Sequence, residues 1–296
     1  MDGATERLYL DALDTLSDTV RVPARPGLLA AARTRRRPMP PVPAWAEPYA
    51  ARVAAMDALL ASADPADWDT VVVEGWNMQE LVAHLAAKDG LLAAAVGAPV
   101  GGPPVTADDA DGRTAEVQEH QRGRPPELTR ADWRAQADAL CGRLGAMGDG
   151  DIVDQGGFTA PAADHVLARM LETWIHTDDA AKAIGLALPL PLPAHIRPAA
   201  DLCVRLLPLT MLVSGRDGSG RAAHVTLTGE GGGEWDVALG LGETVAATQV
   251  RITCDVVEFC FLLSGRGRPE EFAAEIEGDR DLGREILLSA PALSGP

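Results

Sequence analysis

The sequence predicts an α+β protein, mostly α: a four-helix bundle followed by a small α+β domain. Three observations predict it. Apolar residues recur at helical spacing in four separate stretches between residues 48 and 184. Past the Pro-rich stretch 188–193 the pattern changes, and two alternating segments, 223–228 and 234–239, are separated by glycines. A chain of 296 residues is long enough for two cores. The expected organisation is an N-terminal arm or linker over 1–41, a helical bundle over 42–190 and an α+β domain over 191–296.

Residues 5–20 read as a short amphipathic helix carrying Leu8, Leu13, Leu16 and Val20. Pro38, Pro40, Pro41 and Pro43 then exclude a regular helix. The first bundle helix is expected from about Pro48 to Ser62, with Val53, Met56, Leu59 and Leu60 facing inward. Val71–Val73 is extended. The second helix has a strong start signal: Asn77 at the N-cap, Glu80 at N3 as in a capping box, and Trp76 and Leu81 placed as a hydrophobic staple. The Gly-, Pro- and Asp-rich stretch 97–127 reads as a long loop bordering a substrate mouth. Thr129 is the expected cap of the third helix, with Asp132 at N3 and Trp133, Ala137, Leu140, Cys141 and Leu144 as its apolar stripe. The fourth is expected from about Pro161 to Ile184, ended by Gly185. Beyond the hinge, 196–207 reads as a helix that Pro208 ends or kinks, 248–254 as a third strand, 255–264 as a buried helix and 278–289 as ending in another.

Two of these helices carry metal-capable side chains. Glu172 and His176 are four apart, so they lie one turn apart on one helical face. His84 is placed to join them from a facing helix about two turns from its N-cap. Two imidazoles and a carboxylate form the ligand set of a catalytic metal site that keeps a position open. On spacing alone such a pair is more often a surface contact. The apolar surroundings argue otherwise: Leu81, Val82 and Leu85 flank His84, and Leu171, Trp174 and Ile175 precede His176. A buried, unpaired imidazole costs about 1–3 kcal/mol, so each needs a partner or a metal. Asp179, three residues after His176, reads either as a carboxylate that orients that histidine or as a surface charge. His165 falls on a similar face and reads either as lining the site or, more simply, as a rim or surface histidine, while His120, His195 and His224 read as structural or exposed.

The order of motifs resembles a known family. Trp76 through Ala86 (W-x-x-x-x-L-V-A-H-L-A), Glu172 through Ala181 (E-x-W-x-H-x-x-D-x-A) and the run from Gly265-Arg266 to Gly278-Asp279 are similar to the mycothiol-dependent maleylpyruvate isomerase family. The resemblance spans roughly residues 42–290, and no counterpart is known for the segment before it. It implies a DinB-like four-helix metal-binding domain and a smaller α+β domain. It also implies a divalent metal, most simply zinc, held by His84, Glu172 and His176, with mycothiol as thiol cofactor or co-substrate. The expected activity is attack of a metal-activated mycothiol thiolate on an electrophilic small molecule, as isomerase or thiol S-transferase. For an anionic substrate, Arg266 is the first candidate to hold it and Arg251 the second.

Composition excludes other classes. Net charge is −17, and the basic run is confined to Arg33–Arg37, which reads as a solvated tail, so a duplex nucleic acid is not an expected partner. No stretch has the length of a transmembrane helix and the start lacks a signal-peptide pattern. Cys141, Cys203, Cys254 and Cys260 show no C-x-x-C spacing and read as reduced core residues of a cytoplasmic protein. Only Lys88 and Lys182 are lysines, the bias of a GC-rich genome. A monomer is the default expectation. Two rival functions use the same residues: a metal-dependent hydrolase with Asp179 or His165 as base, and a non-catalytic metal-bound regulator that captures a partner through residues 1–41.

Overall fold

The computed structural model describes residues 37–294, save 108 and 246. By its contacts the chain divides between Pro38 and Met39, and the architecture below is that of the unit from Met39 onward. The helix expected over 5–20 and the Arg33–Arg36 part of the basic run lie outside the described residues.

The fold is α+β and mostly helical. Helix α1 (Glu47–Leu60) buries Val53, Met56, Leu59 and Leu60, as the apolar spacing predicts. A two-stranded ribbon, β1 (Val71–Val73) and β2 (Trp76–Asn77), leads into α2 (Met78–Ala95). The capping box is formed: the Glu80 N–H donates to the Asn77 side chain at 2.9 Å, and the Asn77 N–H donates to Glu80 Oε2 at 3.0 Å.

The stretch 97–127 is not one loop. It contains α3 (Ala110–Gln121), capped by Asp109. Sequence periodicity misses this helix because it is polar, and Val117 alone of its large apolar side chains docks on Ala83 and Ala87 of α2. Tertiary contacts hold it instead. Arg113 Nε donates to the Ala87 carbonyl at 2.9 Å. A Cβ on Gly90 would approach the Arg113 guanidinium to 2.7 Å, so the glycine admits this close crossing.

Helix α4 (Pro126–Leu144) starts before Thr129, with proline in its first turn. Thr129 is therefore inside the helix, and its hydroxyl donates to Gln121 Oε1 at 2.9 Å rather than capping. The expected stripe, Trp133 through Leu144, is fully buried. A hairpin of β3 (Ile152–Gln155) and β4 (Phe158–Pro161) precedes α5 (Ala162–Ala183), which Gly185 ends at φ +73°. Helix α1 packs on α5, and α2 packs on α3, α4 and α5. Asp57 of α1 takes Arg130 and Arg134 of α4, both at 2.7 Å.

Helix α6 (Pro193–Val213) runs through Pro198 and Pro208, so Pro208 does not end it. A four-stranded sheet follows, in the order β6–β5–β7–β8. Its strands are β5 (Ala222–Thr228), β6 (Gly233–Ala238), β7 (Val250–Asp255) and β8 (Glu275–Gly278), with β5 and β7 parallel and the other pairs antiparallel. Helices α6, α7 (Val256–Leu263) and α8 (Arg280–Ser289) pack against one another and against the sheet. Among the described residues no helix is long and apolar enough to cross a membrane.

The Asn77 cap sets where α2 begins and hence where His84 points. Asn77→Ala should lower stability by about 1 kcal/mol in chemical denaturation, with far-UV circular dichroism unchanged. An unchanged denaturation midpoint would show that tertiary packing alone fixes that start.

Candidate metal centre

His84, Glu172 and His176 meet in space. One ligand atom from each lies within 4.8 Å of the others, and both histidines are buried. His84 Nε2 lies 2.8 Å from Glu172 Oε1, and the two imidazole rings stand edge-to-face at 5.3 Å. Trp76, from the ribbon before α2, covers His84 at a ring separation of 5.0 Å.

Each imidazole is held at its other nitrogen. His176 Nδ1 donates to Asp179 Oδ2 at 3.2 Å, which leaves Nε2 with its lone pair. His84 Nδ1 lies 3.2 Å from the Thr114 hydroxyl, which donates or accepts according to the ring's tautomer. Thr114 belongs to α3, the helix that sequence reading takes for a loop. Burial lowers the His84 pKa, and the Glu172 carboxylate only partly offsets this. A neutral His84 faces an ionised carboxylate, so the short contact needs either a proton on Nε2 or a cation shared by both atoms.

Glu172 stays ionised although burial opposes it. Arg169, three residues earlier on α5, pairs with it and, together with His84, holds its carboxyl far below the usual range. Arg169 Nε also donates to buried Asp89 at 2.9 Å, and Asp89 accepts from Trp133 Nε1 at 3.1 Å. Burial raises the Asp89 pKa, and Arg169 counters it. Sequence reading misses Arg169, Asp89 and Thr114; the i,i+3 spacing of Arg169 and Glu172 is the one local signal.

Asp179 is brought to the site and is not a surface charge. Besides His176 it takes Arg266, whose Nη2 donates at 2.7 Å and whose Nε donates to both carboxylate oxygens at 3.1 Å. Arg266 comes from the turn after α7, where Gly265 has φ +72° and a Cβ there would meet Ser294 Oγ at 2.6 Å. Burial raises the Asp179 pKa, but its bonds from His176 and Arg266 outweigh burial and hold it below the ordinary value.

Arg251 is not brought to the site. It is exposed on β7, beside His224 and Glu277 in register, because strand alternation turns Val250, Ile252 and Cys254 inward instead. His165 is not a surface residue: it is buried, with Nε2 3.1 Å from the Val153 carbonyl, and with Glu172 it lines a second cavity. His120 is exposed on α3, His195 is half-buried, and His224 contacts Asp236 at 2.8 Å.

Two of the triad residues border a cavity of about 200 Å³. Glu172, His176 and Arg266 line it, with Leu171, Ile175 and Leu263 among its apolar walls.

The family model described as the mycothiol maleylpyruvate isomerase N-terminal domain matches residues 49–181, which include all three triad residues. A protein of Mycobacterium tuberculosis, present in strains CDC 1551 and H37Rv and described as uncharacterised, is 29% identical over 252 residues, or 81% of this chain and 91% of the relative. Two crystal structures of the mycothiol-dependent maleylpyruvate isomerase share the fold of the chain at 18% identity. One, a histidine-to-alanine mutant, superposes with a TM-score of 0.52 over 79% of this chain and 93% of its own. The other does so at 0.50 over 76% and 90%. The matched segment ends within α5, so Arg266 reaches Asp179 from beyond it.

An unfolded aspartate titrates near about 4. Since folding lowers the Asp179 pKa, its ionised form contributes stability above that pH, and the contribution is lost as pH falls through the folded value. Metal-free Asp179→Asn should therefore be less stable than wild type at pH 7, with the gap closing as pH falls below about 4. A gap that stays constant in denaturant titrations across that range would show that the carboxylate charge contributes nothing.

Proposed function

We propose that this protein is a metal-dependent enzyme that uses mycothiol as a thiolate nucleophile against an electrophilic small molecule, as isomerase or S-transferase. One observation carries the reading. Two imidazoles, each held at Nδ1, and an ionised carboxylate converge, and Glu172 and His176 of this set line a cavity.

The donor set fits a divalent cation, most simply zinc, held by His84, Glu172 and His176. Bound there, such an ion would supply an open position at which a thiol loses its proton at neutral pH. The chain's own residues do the rest. Asp179 sets the tautomer of His176, and Thr114 holds the His84 ring at Nδ1. Arg169 keeps Glu172 charged. Arg266 clamps Asp179, so the segment after α7 helps to hold a bundle histidine. The apolar cavity walls exclude water from the reacting atoms.

The attacking thiol has to come from outside. All four cysteines are buried, and burial pushes the Cys141 and Cys254 thiols up to about 12. In the isomerase reading, the thiolate adds to a conjugated double bond: a C–S bond forms and the π pair moves onto the conjugated acceptor. Rotation and elimination then return the thiolate and the trans isomer. In the transferase reading the adduct is protonated and released. The hydrolase alternative has weaker support, because Asp179 is paired with Arg266 and His165 is anchored at the Val153 carbonyl and is not a member of the triad. We read the chain as cytoplasmic, with 42–190 as the metal-holding domain and 191–296 as the part that supplies Arg266.

Elemental mass spectrometry should find about one zinc per chain in wild type, lost in His176→Ala without loss of helical circular dichroism. Loss of an electrophile should then require both the metal and mycothiol. A wild-type protein that takes up no metal on reconstitution, or turnover indifferent to thiol, would overturn the reading.

A further inference from the structure

A second cavity, of about 250 Å³, shares Lys88 with the first. Gln155, Phe158, Asp164 and Arg205 are among its lining residues, while Lys88 and Glu172 line both cavities. Lys88 follows His84 by four residues on α2, so it stands one turn further along the same face.

The arginines around these cavities already have partners. Arg169 holds Asp89 and Glu172. Arg205 holds Asp164 and Asp201. Arg266 holds Asp179 through Nε and Nη2, and its Nη1 donates to the Ser264 carbonyl at 3.1 Å. Arg266 is thus engaged first as a positioning residue, with its charge paired to Asp179, which weakens the role first expected of it, holding a substrate anion.

Lys88 differs. Among the described residues it makes no ion pair. The Glu172 carboxylate, whose charge it feels, is already shared by His84 and Arg169. A half-buried ammonium at the edge of an apolar chamber favours an anionic partner, and its four-carbon stem lets it follow one.

We propose that Lys88 receives the acidic group of the electrophile, and that the chamber beside it selects small carboxylic acids with an apolar body. This rests on reading the first cavity as the electrophile's seat. Its test needs no thiol and no turnover, so it can fail separately from that reading.

The test is calorimetric titration of metal-loaded protein with trans-cinnamate and its neutral counterpart cinnamamide. Wild type should bind cinnamate about tenfold more tightly than cinnamamide or better, the scale of one charge-assisted hydrogen bond. Lys88→Gln should abolish that preference while keeping its metal content and circular dichroism, and Lys88→Arg should retain it. A preference undiminished in Lys88→Gln would place the carboxylate elsewhere, on the metal or on Arg266, and overturn the proposal. So would a wild type that binds neither probe or does not discriminate between them.

Discussion

The buried Arg169 guanidinium is the constraint on which the site depends. It lies inside the bundle between Asp89 of α2 and Glu172 of α5 and makes the ionised state of both tenable. Removing such charges from water is costly, and an apolar pair of the same volume is often as stable or more so. The arrangement therefore makes sense through what it supports: a carboxylate that stays charged beside a neutral histidine. Trp133 of α4, donating to the same Asp89, brings a third helix into the network.

A second chain of contacts fixes the other histidine. Arg266 holds Asp179, and Asp179 holds His176. The two carboxylates differ in what they face. Glu172 turns toward the histidines and the cavity, whereas Asp179 turns to the back of His176 and to an arginine arriving from the turn after α7. That turn depends on Gly265, where a side chain would strike Ser294. The chemistry of the helical bundle is thus completed by a residue outside it.

The surroundings match a nucleophile that arrives from outside. The four cysteines are buried, burial raises the Cys141 and Cys254 thiols, and the first cavity sets Leu171, Ile175 and Leu263 against Glu172, His176, Lys88 and Arg266. The two chambers adjoin and share Lys88 and Glu172 in their walls.

Local rules were enough for much of this. The Asn77–Glu80 box, the Trp133–Leu144 stripe and the Gly185 stop are short-range patterns, and each is found where the sequence places it. The pairing of Glu172 with His176 follows from helical period alone, and His84 is legible because a histidine among leucines and valines needs a partner. What was not legible depends on distant segments. The polar helix α3 has almost no apolar stripe and is held by Arg113, Val117 and Thr114 against α2. Thr129 resembles a cap until Gln121 takes its hydroxyl. Arg251 and Arg266 look alike as cations, but strand alternation turns one to solvent while the turn after α7 delivers the other to Asp179. Sequence determined the helices and the ligand types, because periodicity and capping act within a few residues. Tertiary structure alone decided which charges meet, because a buried ion pair is selected by geometry across segments as far apart as Asp89 and Arg169.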